Sequence, residues 1–178
     1  MSTQERITLG GGCFWCTEAV FLEVDGVLDV ESGYCNGQVA HPTYEQVCGG
    51  NSGHVEVVQL SFDPDRISLR EVLAIFFAVH DPTQLNRQGN DIGTQYRSGI
   101  YLHHPDQQAV AEEVLDEANQ ALGGRVVTEI ALRHTYSRAE DYHQRYFAQH
   151  PSQGYCAFVV APKVDKFRRV FAARLRKP

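Results

Sequence analysis

Ile7-Thr8-Leu9-Gly10-Gly11-Gly12-Cys13-Phe14-Trp15-Cys16-Thr17-Glu18-Ala19-Val20-Phe21 begins as an alternating apolar segment, breaks at three glycines, and resumes as an apolar run carrying two cysteines and two aromatics. The pattern reads as strand, glycine turn and helix start. The glycines let the backbone turn sharply and keep side chains away from the approach to Cys13. Cys13 then stands at the first turn of a helix, where unpaired N–H groups and the helix dipole favour a thiolate. Phe14 and Trp15 beside it suit a pocket for a small apolar group. A free cysteine is often a small buried hydrophobe. One placed directly after three glycines at a helix start has less reason to be core filler, so Cys13 is read as reactive.

Working outward, Gly26 to Ser32 reads as a strand and 35–53 as a long loop rich in Gly, Asn, Pro and Ser. Loops beyond about 15 residues are usually functional or disordered; this one carries Tyr44 and Cys48, which favours function. In His54-Val55-Glu56-Val57-Val58-Gln59-Leu60-Ser61-Phe62 alternation puts Glu56 on the face of Val58, Leu60 and Phe62. A carboxyl on a core face is desolvated, which raises its pKa and keeps it a neutral acid near pH 7. The competing reading is a strand-end Glu that reaches water. Ser68-Leu69-Arg70-Glu71 is a capping-box pattern opening a helix that His80-Asp81-Pro82 stops. A second long loop is expected over 81–95, then a strand over 96–102. Pro105 starts a further helix ending before Gly123-Gly124, and Val126 to Leu132 is a strand. Ser137-Arg138-Ala139-Glu140 repeats the capping pattern, with a helix expected to end near His150-Pro151. A turn over 152–156 carries Cys156. The fold class is α+β, with a ferredoxin-like core of mixed, largely antiparallel sheet, helices packed on it, long functional loops and a C-terminal helix. A single domain over 1–178 is expected, its core about 5–160.

The 178 residues suit one domain with a sizeable core, and 43% apolar with 21% charged residues is ordinary for a globular chain. No run is long enough to span a bilayer. Met1 to Arg6 lacks a basic-then-apolar signal pattern, so a cytoplasmic chain is expected. Five cysteines then point to catalytic or redox use rather than a disulfide scaffold. A net charge of −6 argues against a general nucleic-acid binder. The charge is uneven: 163–178 carries +6 and the remainder −12. Val164, Phe167, Val170, Phe171 and Leu175 recur at helical spacing there, which reads as an amphipathic helix over about 163–177 with a solvated basic face.

Cys13-Phe14-Trp15 after a glycine run resembles the signature of the peptide methionine sulfoxide reductase A family. So do Pro42 to Cys48, Gly53 to Val58, His80 to Thr83, Asn86 to Ser98 and Gly154-Tyr155-Cys156, in the family's order over about 7–156. The resemblance implies reduction of methionine S-sulfoxide, free or in proteins, and a place in protein repair under oxidative stress. It implies Cys13 as nucleophile, Glu56 as acid, and Tyr44, Asp91 and Tyr96 as polar groups of the pocket. Phe14 and Trp15 form the wall around the substrate methyl, with Tyr155 beside the substrate. Cys156 matches a resolving cysteine; Cys16, one helical turn from Cys13, is the alternative and departs from the glycine common there. No bound cofactor and no metal are implied. Thioredoxin is the implied dithiol reductant and the chain is expected to be a monomer, with no membrane or nucleic-acid partner. His54, His80 and His143 are read as structural or supporting.

The chemistry accounts for these residue types. A thiolate can attack the sulfoxide sulfur, but oxide is a poor leaving group, so oxygen must gain a proton as the bond forms. A neutral Glu56 supplies one. Tyrosine hydroxyls can hold the oxygen where charge grows. Cys13 is left as a sulfenic acid, which a second thiol condenses to a disulfide. Two rivals use the same residues. A thioredoxin-like disulfide oxidoreductase would use Cys13 and Cys16, but lacks the Gly-Pro or Pro-His pair between them. A zinc module would need Cys13, Cys16, Cys48 and a histidine, but has one Cys-x-x-Cys only.

Overall fold

Ile7 and Leu9 bury one face of a strand and the glycines end it, so β1 runs Glu5–Gly10 and α1, Phe14–Phe21, follows almost at once. The computed structural model describes residues 4–176. The chain continues as β2 (Val27–Cys35), a short α2 (Tyr44–Cys48), β3 (Val55–Phe62) and α3 (Leu69–Val79). A two-residue pair, β4 (Arg87–Gln88) and β5 (Asp91–Ile92), precedes β6 (Gly99–Leu102). Then come α4 (Gln108–Ala121), β7 (Glu129–Leu132), β8 (Ser137–Arg138), α5 (Tyr146–Gln149) and α6 (Ala161–Val170).

The described residues build a sheet ordered β7-β6-β1-β3-β2-β8, antiparallel except between β6 and β7. Its middle, β6-β1-β3-β2 with α1 and α3, is the expected ferredoxin-like βαββαβ unit. Ser68 caps α3 in a box with Glu71, as its spacing predicts. Ile7, Leu9, Val58, Leu60 and Phe62 pack with Val20, Phe21, Val72 and Phe76 in one buried cluster. Cys35, Val55, Val57 and Tyr101 form another. Both faces of β3 are therefore buried, and strand alternation sends Glu56 to the helix side with Val58 and Leu60.

Several expected elements come out differently. The 35–53 loop contains α2, closed by a capping box of Thr43 with Gln46. The 81–95 loop contains the β4–β5 pair, and Tyr96 ends a 3₁₀ turn (Thr94–Tyr96) rather than starting a strand. The strand expected over 126–132 begins at Glu129. The capping pattern at Ser137–Glu140 opens no helix: Ser137 pairs with Tyr34 at the sheet edge, and Glu140 accepts from the Tyr34 hydroxyl and the Tyr44 N–H. Tertiary partners there override the local signal, and a 3₁₀ turn (Asp141–His143) and the four-residue α5 form in place of one helix. Cys156 lies in no turn but at the start of a π-helical segment, Cys156–Val160, that runs into α6.

The C-terminal helix is also shorter than expected, and Lys177 lies outside the described residues. Its basic side is partly bound to the chain itself: Arg168 pairs with Glu23 at 2.7 Å and Arg174 with Glu71. Leu175 bridges Val24, and the Arg176 guanidinium donates to the carbonyls of Leu22, Val24 and Val27. This strap fastens residues 174–176 to the end of α1.

Candidate active site

Cys13 occupies the N-cap of α1, beside β3. The glycines before it allow close packing. Gly12 has φ +92°, and a Cβ there would lie 2.7 Å from the Gln88 side chain. Gln88 is in turn fixed by paired 2.9 Å hydrogen bonds with the Asp81 backbone.

Glu56 is 1% exposed. Its Oε1 accepts from the Phe14 N–H at 3.3 Å, one of the free N–H groups of the helix start. Its Oε2 is buried with no hydrogen-bond partner. Burial, aided by the charges of Asp91 and Cys16 and opposed by the Phe14 N–H, pushes Glu56 up to about 8. The carboxyl is thus mostly neutral at pH 7. The core-face reading of this strand holds, and the solvent-reaching one does not.

The helix-start thiolate expected at Cys13 is overridden. Burial, the neighbouring Cys16 and the charge of Glu56 push Cys13 well above an ordinary thiol. The neighbouring Cys13 side chain, the Lys163 charge and the Tyr155 hydroxyl lower Cys16 against its burial. The Tyr155 hydroxyl lies 3.9 Å from the Cys16 sulfur and donates to Asp91, tying β5 to the segment that leads into α6. Cys156 is wholly buried, and burial with the Cys16 charge raises it. All five cysteines are free. Cys48 is exposed, and Cys35 is shut in the second core, where burial pushes it up to about 12.

Tyr44 and Tyr96 are half-buried. Burial first raises both phenols; Tyr44 is raised further by the Cys48 side chain and the Glu56 charge, and Tyr96 by the charges of Glu56, Cys48, Cys13 and Asp91. The structure therefore brings Cys13, Glu56, Tyr44, Asp91 and Tyr96 into one electrostatic neighbourhood. Phe14 is buried against Tyr34 and His143, at ring distances of 5.6 and 5.0 Å. Trp15 is half-buried and stacks on Tyr146 at 3.8 Å and 6°. Its indole N–H donates to His143 Nδ1 at 3.0 Å, which leaves the proton of that neutral ring on Nε2, a buried atom with no partner.

Tyr146 and the site position of His143 were not legible in the sequence. Both lie in the stretch read as an ordinary helix, and no local pattern links them to Trp15. His80 and His54 are structural, as expected: His80 spans the Phe76 carbonyl and the Ser98 hydroxyl, and His54 bonds the Val39 carbonyl. Among the described residues no three His, Cys, Asp or Glu side chains are grouped to hold a metal ion, and no helix is long and apolar enough to cross a membrane.

A family model described as peptide methionine sulfoxide reductase matches residues 5–175. The peptide methionine sulfoxide reductase MsrA of Saccharolobus solfataricus is 51% identical over 172 residues, covering 97% of this chain and 97% of its own. The reduced-form crystal structure of Mxr1 from Saccharomyces cerevisiae is similar with a TM-score of 0.82 and 37% identity, covering 86% of this chain and 89% of that one. The same yeast protein in complex with Trx2 gives a TM-score of 0.59 and 27% identity, covering 80% and 84%.

Proposed function

We propose, from the premise that the chain belongs to the peptide methionine sulfoxide reductase A family, that Cys13 is its attacking sulfur and Glu56 its acid. The reaction is the thiol-dependent reduction of methionine S-sulfoxide to methionine. The observation that carries the assignment is Glu56: a buried carboxyl, neutral at pH 7, with one oxygen fixed by the Phe14 N–H and the other unpartnered. A free acidic oxygen is what the sulfoxide oxygen needs.

Phe14 and Trp15 wall the substrate methyl, and Tyr155 and Asp91 border the same space. The Tyr44 and Tyr96 hydroxyls hold the oxygen as negative charge grows on it. Cys13 attacks as its thiolate and bonds to the sulfoxide sulfur while Glu56 protonates the oxygen. The oxygen ends on Cys13 as a sulfenic acid, and methionine leaves. A second thiol then displaces that oxygen as water and forms a disulfide. The place of Cys16 one helical turn from Cys13, with its N–H on the Cys13 carbonyl at 3.1 Å, favours Cys16 for this step. The resemblance favours Cys156, which is buried in an irregular helix that would have to open. An external dithiol then reduces the disulfide. The complex of the yeast relative with Trx2 supports thioredoxin in that role. In this reading the enzyme is a cytoplasmic monomer that repairs oxidised proteins and binds no cofactor of its own.

Protein treated with one equivalent of methionine S-sulfoxide and mapped by mass spectrometry is expected to carry a Cys13–Cys16 disulfide. Cys16→Ser should still release one methionine per protein but lose thioredoxin-driven cycling, and Cys156→Ser should keep cycling. A Cys13–Cys156 link, with cycling lost in Cys156→Ser, moves the resolving role to Cys156. Absence of methionine release from the parent protein overturns the whole reading.

A further inference from the structure

β1 ends at Gly10, and its two neighbours, β3 and β6, begin beside that end. Gly10 stands between them: a Cβ there would lie 3.2 Å from the Arg97 carbonyl and 3.5 Å from the Glu56 carbonyl. The chain leaves the sheet there for Cys13, so beyond Gly10 β1 no longer ties β3 to β6. The Arg97 side chain, which has no part in the chemistry above, spans the gap. Its guanidinium donates to the Gly53 carbonyl at 3.1 Å, just ahead of β3, and to the Thr94 carbonyl at 2.9 Å, in the 3₁₀ turn ahead of β6. Its Nε donates to Glu129 at the start of β7, forming an ion pair. Glu129 is itself held at 3.1 Å by the hydroxyl of Tyr101, a wholly buried residue of the second core. A planar guanidinium with fixed donor directions suits three acceptors at once, which a lysine ammonium on a flexible stem does not. Both ends of the span lead to a site residue. Glu56 lies three positions past Gly53, on a strand buried on both faces. Tyr96 ends the turn that begins at Thr94, and that turn packs on β3. The turn is weak by itself: it is three residues long, closed by the Tyr96 N–H on the Gly93 carbonyl at 3.0 Å and the Arg97 N–H on the Thr94 carbonyl at 3.2 Å.

We propose that Arg97 is a positioning residue for the chemical step: by binding the Gly53 and Thr94 carbonyls together it holds the Tyr96 turn against β3, and so sets the Tyr96 hydroxyl relative to the Glu56 carboxyl. Its donors end on protein groups, so it acts through Tyr96. β3 is the fixed side of the clamp and the 3₁₀ turn the held side. This rests on the reading of Tyr96 as a hydroxyl that holds the sulfoxide oxygen. Such a hydroxyl acts chiefly as charge grows in the transition state, so misplacing it should lower the rate more than substrate binding. An ion pair that merely stabilised the sheet edge would cost the same with or without the Tyr96 hydroxyl.

Arg97→Lys keeps the charge and a partner for Glu129 but loses the fork. Single-turnover methionine release from a methionine S-sulfoxide peptide is expected to slow about tenfold at saturation, with the half-saturating concentration within about threefold of the parent. Tyr96→Phe should slow release to a similar degree. Adding Arg97→Lys to Tyr96→Phe should then cost less than about twofold more, because the two act as one unit. If Arg97→Lys does not fold, Glu129→Gln, which removes the ion pair that orients the guanidinium, takes its place in the same cycle. A parental rate in Arg97→Lys beside a slowed Tyr96→Phe overturns the proposal, and so does an undiminished effect in the Tyr96→Phe background. A parental rate in Tyr96→Phe overturns the reading beneath it, and the proposal with it.

Discussion

Cys13→Ser reduces no methionine sulfoxide above background, a loss of at least about 10⁴-fold in single-turnover methionine release. The reason is chemical rather than steric. A serine hydroxyl fits the N-cap, where serine is a favoured residue, so the helix start should survive the change. The hydroxyl does not ionise in this range, bonds weakly to a sulfoxide sulfur, and yields no sulfenic acid for a second thiol to condense with. Near-parental melting with zero methionine release is the expected pair of results. Substantial turnover by Cys13→Ser would end the mechanism.

Glu56→Gln slows methionine release by about 10²–10⁴-fold, the usual worth of a positioned general acid. The amide retains the size and the Phe14 contact but has no acidic proton to give. Because Glu56 is raised from 4.5 to about 8, the parent's acid form is present below about pH 8 and lost above it. The parent rate should therefore fall as pH rises through 8, and that limb should vanish in Glu56→Gln. Stability follows the same group with a definite sign. The unfolded chain releases this proton near 4.5 while the native protein keeps it to about 8. Between those values the native state binds more protons, so stability falls as pH rises, by up to about 1.4 kcal/mol per pH unit from this group. The glutamine variant lacks this slope, and its melting temperature should gain on the parent from pH 5 to pH 8. A near-normal rate, or a gap in melting temperature that does not widen, removes Glu56 from the acid role.

Strand–glycine–helix at 7–21 and the alternation at 54–62 were legible because each depends on near neighbours in the chain. Alternation was enough to turn Glu56 inward, though not to show that β3 is buried on both faces. The resemblance to a family then joined Tyr44, Asp91 and Tyr96 to that pair. Two features stayed hidden because distant partners decide them. Ser137 and Glu140 spell a helix start, yet sheet pairing with Tyr34 and the Tyr44 N–H take them. The charge of the Cys13–Cys16 pair depends on Glu56 and Lys163, more than forty and more than a hundred positions away. Local rules for helix starts see none of these distant groups.

The strap of residues 174–176 over 22–27 has a consequence for how the chain matures. Its contacts join positions separated by about 150 residues, so they cannot exist while a nascent chain is still short. Such non-local closure is slow and comes late. The helix that carries Cys13 is made among the first residues, and its far end stays unpinned until some 150 more have been added. Exposed to oxidants during that interval, its thiols would meet a looser scaffold than the one that later surrounds them.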